Sequence, residues 1–308
     1  FNESMYFNFC HPAGGLAGFL RCGNRVNEGY AEVTVCLWLP DGRVAFSFGR
    51  PPISGNQAFD AGGLRFEVLR PFEQLAVSYQ GEVLVLEDPL AMADPQVAFS
   101  QSPRAPAKVE LAYRAVSAVV GGEPEQPLEP EGEEFARGHY EQLVGAVGQV
   151  EVAGLAWEVD AYGLRDHSWG PRHWQAPWYY RWLTACFGED LGFMAARIAR
   201  RSGPGTRGGF LWDGRQVLAC DHLELSTTWE GPDHYHRELH GVLKGPAGEW
   251  RFSGSVVSLV PLRNRRSGAL TRISEGLTRW TLEGGRVGYG LSEYLDQIVD
   301  GLPVGLRE

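Results

Sequence analysis

Ala31-Glu32-Val33-Thr34-Val35-Cys36-Leu37-Trp38-Leu39, then Pro40-Asp41-Gly42, then Arg43-Val44-Ala45-Phe46-Ser47-Phe48: this stretch decides the fold class. Two runs rich in β-branched and aromatic residues flank a segment suited to a tight turn, in which proline presets φ and glycine accepts φ > 0. Branched and ring side chains sit more easily on a pleated strand than against the preceding turn of a helix. The stretch therefore reads as an antiparallel hairpin.

The pattern continues outward. Residues 64–69, 75–79 with 83–86 across Gln80-Gly81-Glu82, and 109–116 read as further strands. In the second half the pairs are 149–153 with 156–162, 179–187 with 193–198, and 218–229 with 234–243 about Glu230-Gly231-Pro232-Asp233. Residues 249–260 follow, then 277–282 with 286–291 about Glu283-Gly284-Gly285. Helical periodicity is expected only for a turn or two over 294–299.

Forty glycines and nineteen prolines in 308 residues exclude a helix bundle, because both residue types interrupt helices. A charged fraction of 21% and a hydrophobic fraction of 44% are those of a globular chain, and the length suits two domains. The acidic, proline-rich run GGEPEQPLEPEGEE (121–134) lacks periodicity and is expected to mark the boundary between domains 1–125 and 126–308. The fold expected is all-β, two consecutive antiparallel sheet domains.

A net charge of −10 argues against a nucleic-acid partner, and the basic run Arg263-Asn264-Arg265-Arg266 reads as a solvated turn. No apolar run approaches the ~20 residues of a membrane-spanning helix. Five scattered cysteines without CxxC spacing fit reduced thiols and a cytoplasmic location. There is no GxSxG elbow, P-loop or HExxH, and Ala61-Gly62-Gly63 follows no strand-to-helix pattern, so a dinucleotide fingerprint is unsupported.

Potential chemistry is densest in YGLRDHSWGPRHWQAPWYYRW (162–182), which holds four of the ten tryptophans. On an extended chain Arg165, His167 and Trp169 share one face, with Asp166 and Ser168 on the other. Trp174, Trp178, Tyr180 and Trp182 share a parity and form an aromatic stripe, either core or the wall of a site for an apolar ligand. A second group is Arg137, His139 and Glu141 on one face, with Tyr140 and Gln142 opposite. Its His–Glu pair suits proton transfer or a structural contact equally. A third is His234, His236, Glu238 and His240, which strand alternation would put on one face. Its span of roughly 20 Å is too long for one ion to use more than two neighbours, and no metal is assigned.

The run Arg165-Asp166-His167-Ser168-Trp169-Gly170, with the tryptophan-rich segment after it, resembles the AttH-like and carotenoid hydratase (hydroxyneurosporene synthase) superfamily, which includes kievitone hydratase. The lipocalin-like Diels–Alderases are similar in architecture. The resemblance is best over 135–193 and extends to EGLTRWTLEGGRVGYGLSEYLD, which ends at Asp296. It implies two lipocalin-like β-barrels and cofactor-free hydration, dehydration or cyclisation of an apolar, terpenoid-like alkene. His167 and Trp169 match the family's motif positions. The carotenoid hydratases carry a further Tyr/Asp pair in the strand beyond the motif. Here the matching stretch is Gly192-Phe193-Met194-Ala195-Ala196, with Glu189 and Asp190 just before it.

The expectation is thus a cofactor-independent hydratase, lyase or cyclase. His167 and Asp166 would handle the proton, supported by His139 and Glu141, with Tyr140, Trp169, Trp174, Trp178, Tyr180 and Trp182 shaping the substrate site. The alternatives are a non-catalytic carrier of an apolar small molecule, and a purely structural Arg165-Asp166-His167 network.

Overall fold

The computed structural model describes residues 1–125, 134–201 and 204–307. It is all-β, with two antiparallel sheets, and the chain divides into two compact units. The first comprises Phe1–Asp88 with Gln96–Arg172, the second Pro89–Pro95 with His173–Glu308.

The first unit contains β1 (Asn2–Cys10), β2 (Ala17–Arg25), β3 (Tyr30–Trp38), β4 (Val44–Gly49), β5 (Phe59–Ala61) and β6 (Leu64–Arg70). It continues with β7 (Gln74–Leu86), helix α1 (Pro95–Gln101, its first residue in the other unit), β8 (Arg104–Ala115), β9 (Val120–Gly122), β10 (Gly138–Val152) and β11 (Leu155–Gly170). Strand order β4-β3-β2-β1-β11-β10-β8-β7, with β7 pairing back onto β4, closes an eight-stranded ring. Eight strands enclose an interior that side chains can just fill. Phe7, Phe9, Leu20, Val35, Val77, Leu111, Tyr113 and Ala146 fill it here. Strand β8 shows the logic plainly, alternating exposed and buried residues from Arg104 to Arg114.

The hairpin that opened the sequence reading is β3–β4, with Trp38 opposite Val44 and Cys36 opposite Phe46. Gly42 takes φ of 90°, and Asp41 Oδ1 accepts the Arg43 amide at 3.1 Å. Residues 75–86 do not fold back at Gln80-Gly81-Glu82. Strand β7 runs straight through, because β8 pairs with it without a break from Gln74 to Leu84. The Tyr79 hydroxyl covers Gly81 instead, donating to the Glu82 carbonyl at 2.9 Å, and a Cβ at Gly81 would lie 2.6 Å from the Tyr79 hydroxyl oxygen.

The expected boundary at 125/126 falls inside the first unit. Strands β10 and β11 pair with β8 and β1, so the RDHSWG motif completes the first barrel and does not belong to a C-terminal domain. Residues 126–133 of the acidic run lie outside the described residues; Glu123, before them, binds Arg137 and Trp169 of the same unit.

The second unit contains β12 (Tyr179–Cys186), β13 (Gly192–Ala199), β14 (Thr206–Trp212), β15 (Val217–Cys220) and β16 (His222–Glu230). Then come β17 (Tyr235–Gly245), β18 (Gly248–Arg266), β19 (Ala269–Leu282), β20 (Val287–Val299) and the short β21 (Leu302–Pro303). Their order is β15-β14-β13-β12-β20-β19-β18-β17-β16, with β21 beside β20. The sheet curls on itself: Phe193 of β13 and Phe252 of β18, four places apart in that order, bring their ring centroids to 4.8 Å beside Trp280.

Two local expectations are corrected. Residues 294–299 belong to β20, held on one side by β19 and on the other by β12. Arg263-Asn264-Arg265-Arg266 is strand, paired with Arg272, Thr271, Leu270 and Ala269. No helix among the described residues is long and apolar enough to cross a membrane.

Candidate functional site

In β11 and β10 the antiparallel register sets Tyr140 opposite His167, Gln142 opposite Arg165, and Glu141 opposite Asp166. Directly opposed residues share a face. Tyr140, Gln142, Arg165, His167 and Trp169 therefore continue the parity of the core residues Val144 and Ala161 and belong to the inner face of the first barrel. His139, Glu141, Asp166 and Ser168 lie on the other face. Strand β11 continues to Gly170 without turning at Ser168, so the expected His167–Asp166 pair is divided by the sheet.

On the inner face β1 supplies a residue that the sequence reading missed. Glu3 shares the parity of Met5, Phe7 and Phe9, and its Oε1 lies 2.9 Å from His167 Nε2. His167 Nδ1 lies 3.1 Å from the Tyr140 hydroxyl. A carboxylate only accepts, so in the neutral imidazole the proton sits on Nε2 and Nδ1 accepts from Tyr140. Asn56 Nδ2 donates to the other Glu3 oxygen, and Asn24 holds the Asn56 side-chain oxygen at 3.0 Å. The His167 ring is packed edge-on by Phe59 and Trp169, at 5.6 and 5.7 Å between centroids. Trp169 is in turn fixed by its Nε1–H to Glu123 at 2.8 Å.

Arg165 lies beside this chain. Its guanidinium carbon is 5.0 Å from the Tyr140 ring centre and 5.6 Å from that of Phe72. Its Nε donates to Gln142 Oε1 at 2.8 Å, and Gln142 is oriented by donating to the carbonyls of Ser117 and Phe72.

The opposite face is also polar and largely buried. Ser4 and Ser168 hydroxyls meet at 3.0 Å, Arg172 donates to Ser168 at 2.8 Å, and Glu141 is buried while His139 is exposed. Burial pushes the Asp166 carboxyl above its ordinary value, against the opposing pull of His139, Arg172, His167 and a Ser168 hydrogen bond.

The aromatic stripe divides in the same way. Trp174 and Trp178 precede β12; the Trp178 amide donates to the Ala199 carbonyl at 2.8 Å and its carbonyl accepts from the Gln297 amide at 3.1 Å. The carbonyl of Trp174 accepts from Gln297 at 3.0 Å, and Arg201 lies 4.5 Å over the Trp178 ring. Tyr180 and Trp182 are on β12, with Trp182 opposite Glu293.

That face of the second sheet carries another arrangement absent from the expectations. Glu275 and Glu293 oppose each other across β19 and β20, both buried, and the Tyr180 hydroxyl donates to Glu293 Oε1. Burial, then the neighbouring Glu293 charge, holds the Glu275 carboxyl well above the carboxylate range. Two carboxyls so placed retain a proton between them. The signal was legible: Glu275 sits between Ile273 and Leu277, and Glu293 between Leu291 and Leu295, each a charge in an apolar parity.

The histidines of 234–240 do not share a face. His234 sits in the turn at φ of 52°, and a bulge at Arg237 reverses the alternation. His236 therefore points inward with Leu239, while His240 is exposed. The buried His236 ring stacks on Tyr294 at 4.0 Å and 10°, with Nε2 on Ser292.

The profile of a family described as a domain of unknown function (DUF7064) matches residues 1–298. Among solved structures, an AttH candidate (NE1406) from Nitrosomonas europaea superposes with a TM-score of 0.64 at 14% identity, over 95% of this chain and 91% of that one. CghA superposes with a TM-score of 0.57 at 13% identity, over 99% and 89%, and has also been solved with Sch210972. Kievitone hydratase from Nectria haematococca gives 0.57 at 12%, over 95% and 88%. The chain has the fold of these proteins. No curated protein sequence matches it.

Proposed function

We propose that this chain, which belongs to the DUF7064 family, is an enzyme that adds a proton to, or removes one from, an apolar alkene, as a hydratase, lyase or cyclase working without a cofactor. The observation that carries this is the Tyr140–His167–Glu3 hydrogen-bonded chain set among aromatic rings. That kievitone hydratase shares the fold, and that CghA has been solved with a small molecule, supports the reading.

The chain works in two protonation states. With His167 protonated, the imidazolium pairs with Glu3 and Nδ1–H donates to the Tyr140 oxygen. The Tyr140 proton is then free to point at the substrate, and Tyr140 acts as the general acid. Loss of that proton to an alkene carbon leaves a phenolate that recovers a proton from His167. With neutral His167, Nδ1 holds the Tyr140 proton and the pair acts as a base towards a hydroxyl or water. Trp169 and Phe59 keep the imidazole from rotating.

Purified protein incubated with terpenoid and phenolic alkenes in H₂¹⁸O, with and without EDTA, tests the proposal by mass spectrometry. A product that gains labelled water regardless of EDTA is expected for a hydratase, and a product of unchanged mass but new retention for a cyclase. His167→Ala should lose at least a hundredfold in rate, the range that general acid–base catalysis supplies, because Tyr140 then has no partner to return or accept its proton. Wild-type turnover by that variant would sink the assignment. Release of an intact ligand on denaturation, with no turnover of any alkene, would instead make the protein a carrier.

A further inference from the structure

Resting on that reading, we infer that Arg165 is the receptor for an anionic oxygen on the substrate, so the apolar molecule carries a carboxylate or enolate.

The inference comes from how the terminal nitrogens of the buried arginines are satisfied, by carboxylates or by backbone carbonyls. Arg181, fully buried, meets Asp296 through both terminal nitrogens at 2.9 and 3.2 Å. Arg25 meets Glu32 at 3.2 Å and Glu28 at 3.1 Å. Arg272 donates to the carbonyls of Asp233 and His234. Arg165 is only 2% exposed, yet its side-chain hydrogen bond goes to the neutral amide of Gln142. Among the described residues its Nη2 has no hydrogen-bond acceptor. Removing a guanidinium from water is costly, and two aromatic faces and one amide repay only part of that cost. An anion in line with Nη2 would complete the neutralisation.

The group is also held ready. Gln142 cannot turn its oxygen away from Arg165 without losing both its carbonyl contacts, and Phe72 and Tyr140 flank the guanidinium. A fixed, desolvated guanidinium whose Nη2 lacks an acceptor, beside the proton-bearing Tyr140, suits a substrate whose reacting alkene is conjugated to an acidic oxygen. Charge that develops on that oxygen when the alkene gains or loses a proton would be met by Arg165.

The test uses three probe pairs, cis-parinaric, retinoic and cinnamic acids with their methyl esters, and compares the intact wild-type protein with Arg165→Met. The wild type should bind at least one acid tenfold or more tighter than its ester. Arg165→Met should bind that acid and ester equally, with the ester affinity of the wild type. The ligand-free variant should melt no lower than the wild type, because methionine fills the space without burying a charge. Equal or absent binding of all three acids by the wild type, an acid preference that survives in Arg165→Met, or a lower melting point of the free variant would each overturn the inference. These readouts involve no turnover, so their failure is distinct from failure of the Tyr140–His167–Glu3 assignment.

Discussion

His167 Nε2 lies 2.9 Å from Glu3 Oε1, although the two residues are 164 positions apart in the chain. The contact exists because β1 pairs with β11, with Met5 opposite His167 and Glu3, two residues further along on the same face, opposite Trp169. It gives the imidazole a fixed tautomer and a counter-charge, which the sequence motif alone does not contain.

If Glu3 and His167 act as one unit, their losses should not add. Glu3→Gln should reduce turnover about a hundredfold or more, and the Glu3→Gln, His167→Ala double variant should be no slower than His167→Ala alone. Rates measured on the substrate found by the isotope screen give the cycle directly. Multiplicative losses would mean that the carboxylate works through some other group.

Glu275 titrates against the fold. Its carboxyl is held well above the usual range, so the native state keeps a proton that the unfolded chain has already released, and stability falls as pH rises from about 4.5 towards the raised value. Glu275→Gln keeps the neutral shape without the titration. It should melt higher than the wild type at pH 8, with the difference shrinking towards pH 5. A variant that melts lower at pH 8 would show the ionised pair to be stabilising.

His236 gives the opposite slope. Burial first, then the nearby Arg181 and Arg272 charges, depress it to about 3 from its usual 6.5, against the Ser292 carbonyl. The native state therefore refuses a proton that the unfolded chain accepts. Stability is complete above about pH 6.5 and declines as pH falls towards 3, at up to about 1.4 kcal/mol per pH unit. His236→Phe preserves the stack on Tyr294 and loses the Ser292 hydrogen bonds. It should be about 1–3 kcal/mol weaker at pH 7 and flatter below pH 6 in urea melts.

The Arg181–Asp296 pair should behave as a buried ion pair that tolerates joint removal but not half removal. Asp296 also accepts from the Gly305 amide at 2.9 Å. Asp296→Asn should cost about 3–5 kcal/mol, because it leaves a fully buried guanidinium without its counter-ion. Adding Arg181→Met to that variant should recover a good part of the loss in chemical denaturation. If the double variant is weaker than Asp296→Asn, the guanidinium contributes more through Tyr294, 4.2 Å away, than through its charge partner.

The local sequence was enough for the all-β class, for the β3–β4 hairpin and for the extended run that holds Arg165, His167 and Trp169 on one face. Those features depend on steric fit of branched side chains, on turn chemistry and on the two-residue period of a strand, all of which act between near neighbours. Two buried carboxylates, Glu275 and Glu293, and the half-buried Glu3 were also readable as charges in apolar parities, a signal to apply before any motif. Tertiary structure alone decided the unit boundary, the closure of β7 onto β4, the bulge at Arg237 that turns His236 inward, and the meeting of Glu3 with His167. The reason is that strand partners are chosen by the total burial and hydrogen bonding of a closed sheet. That sum runs over residues far apart in the chain, and no window of sequence contains it.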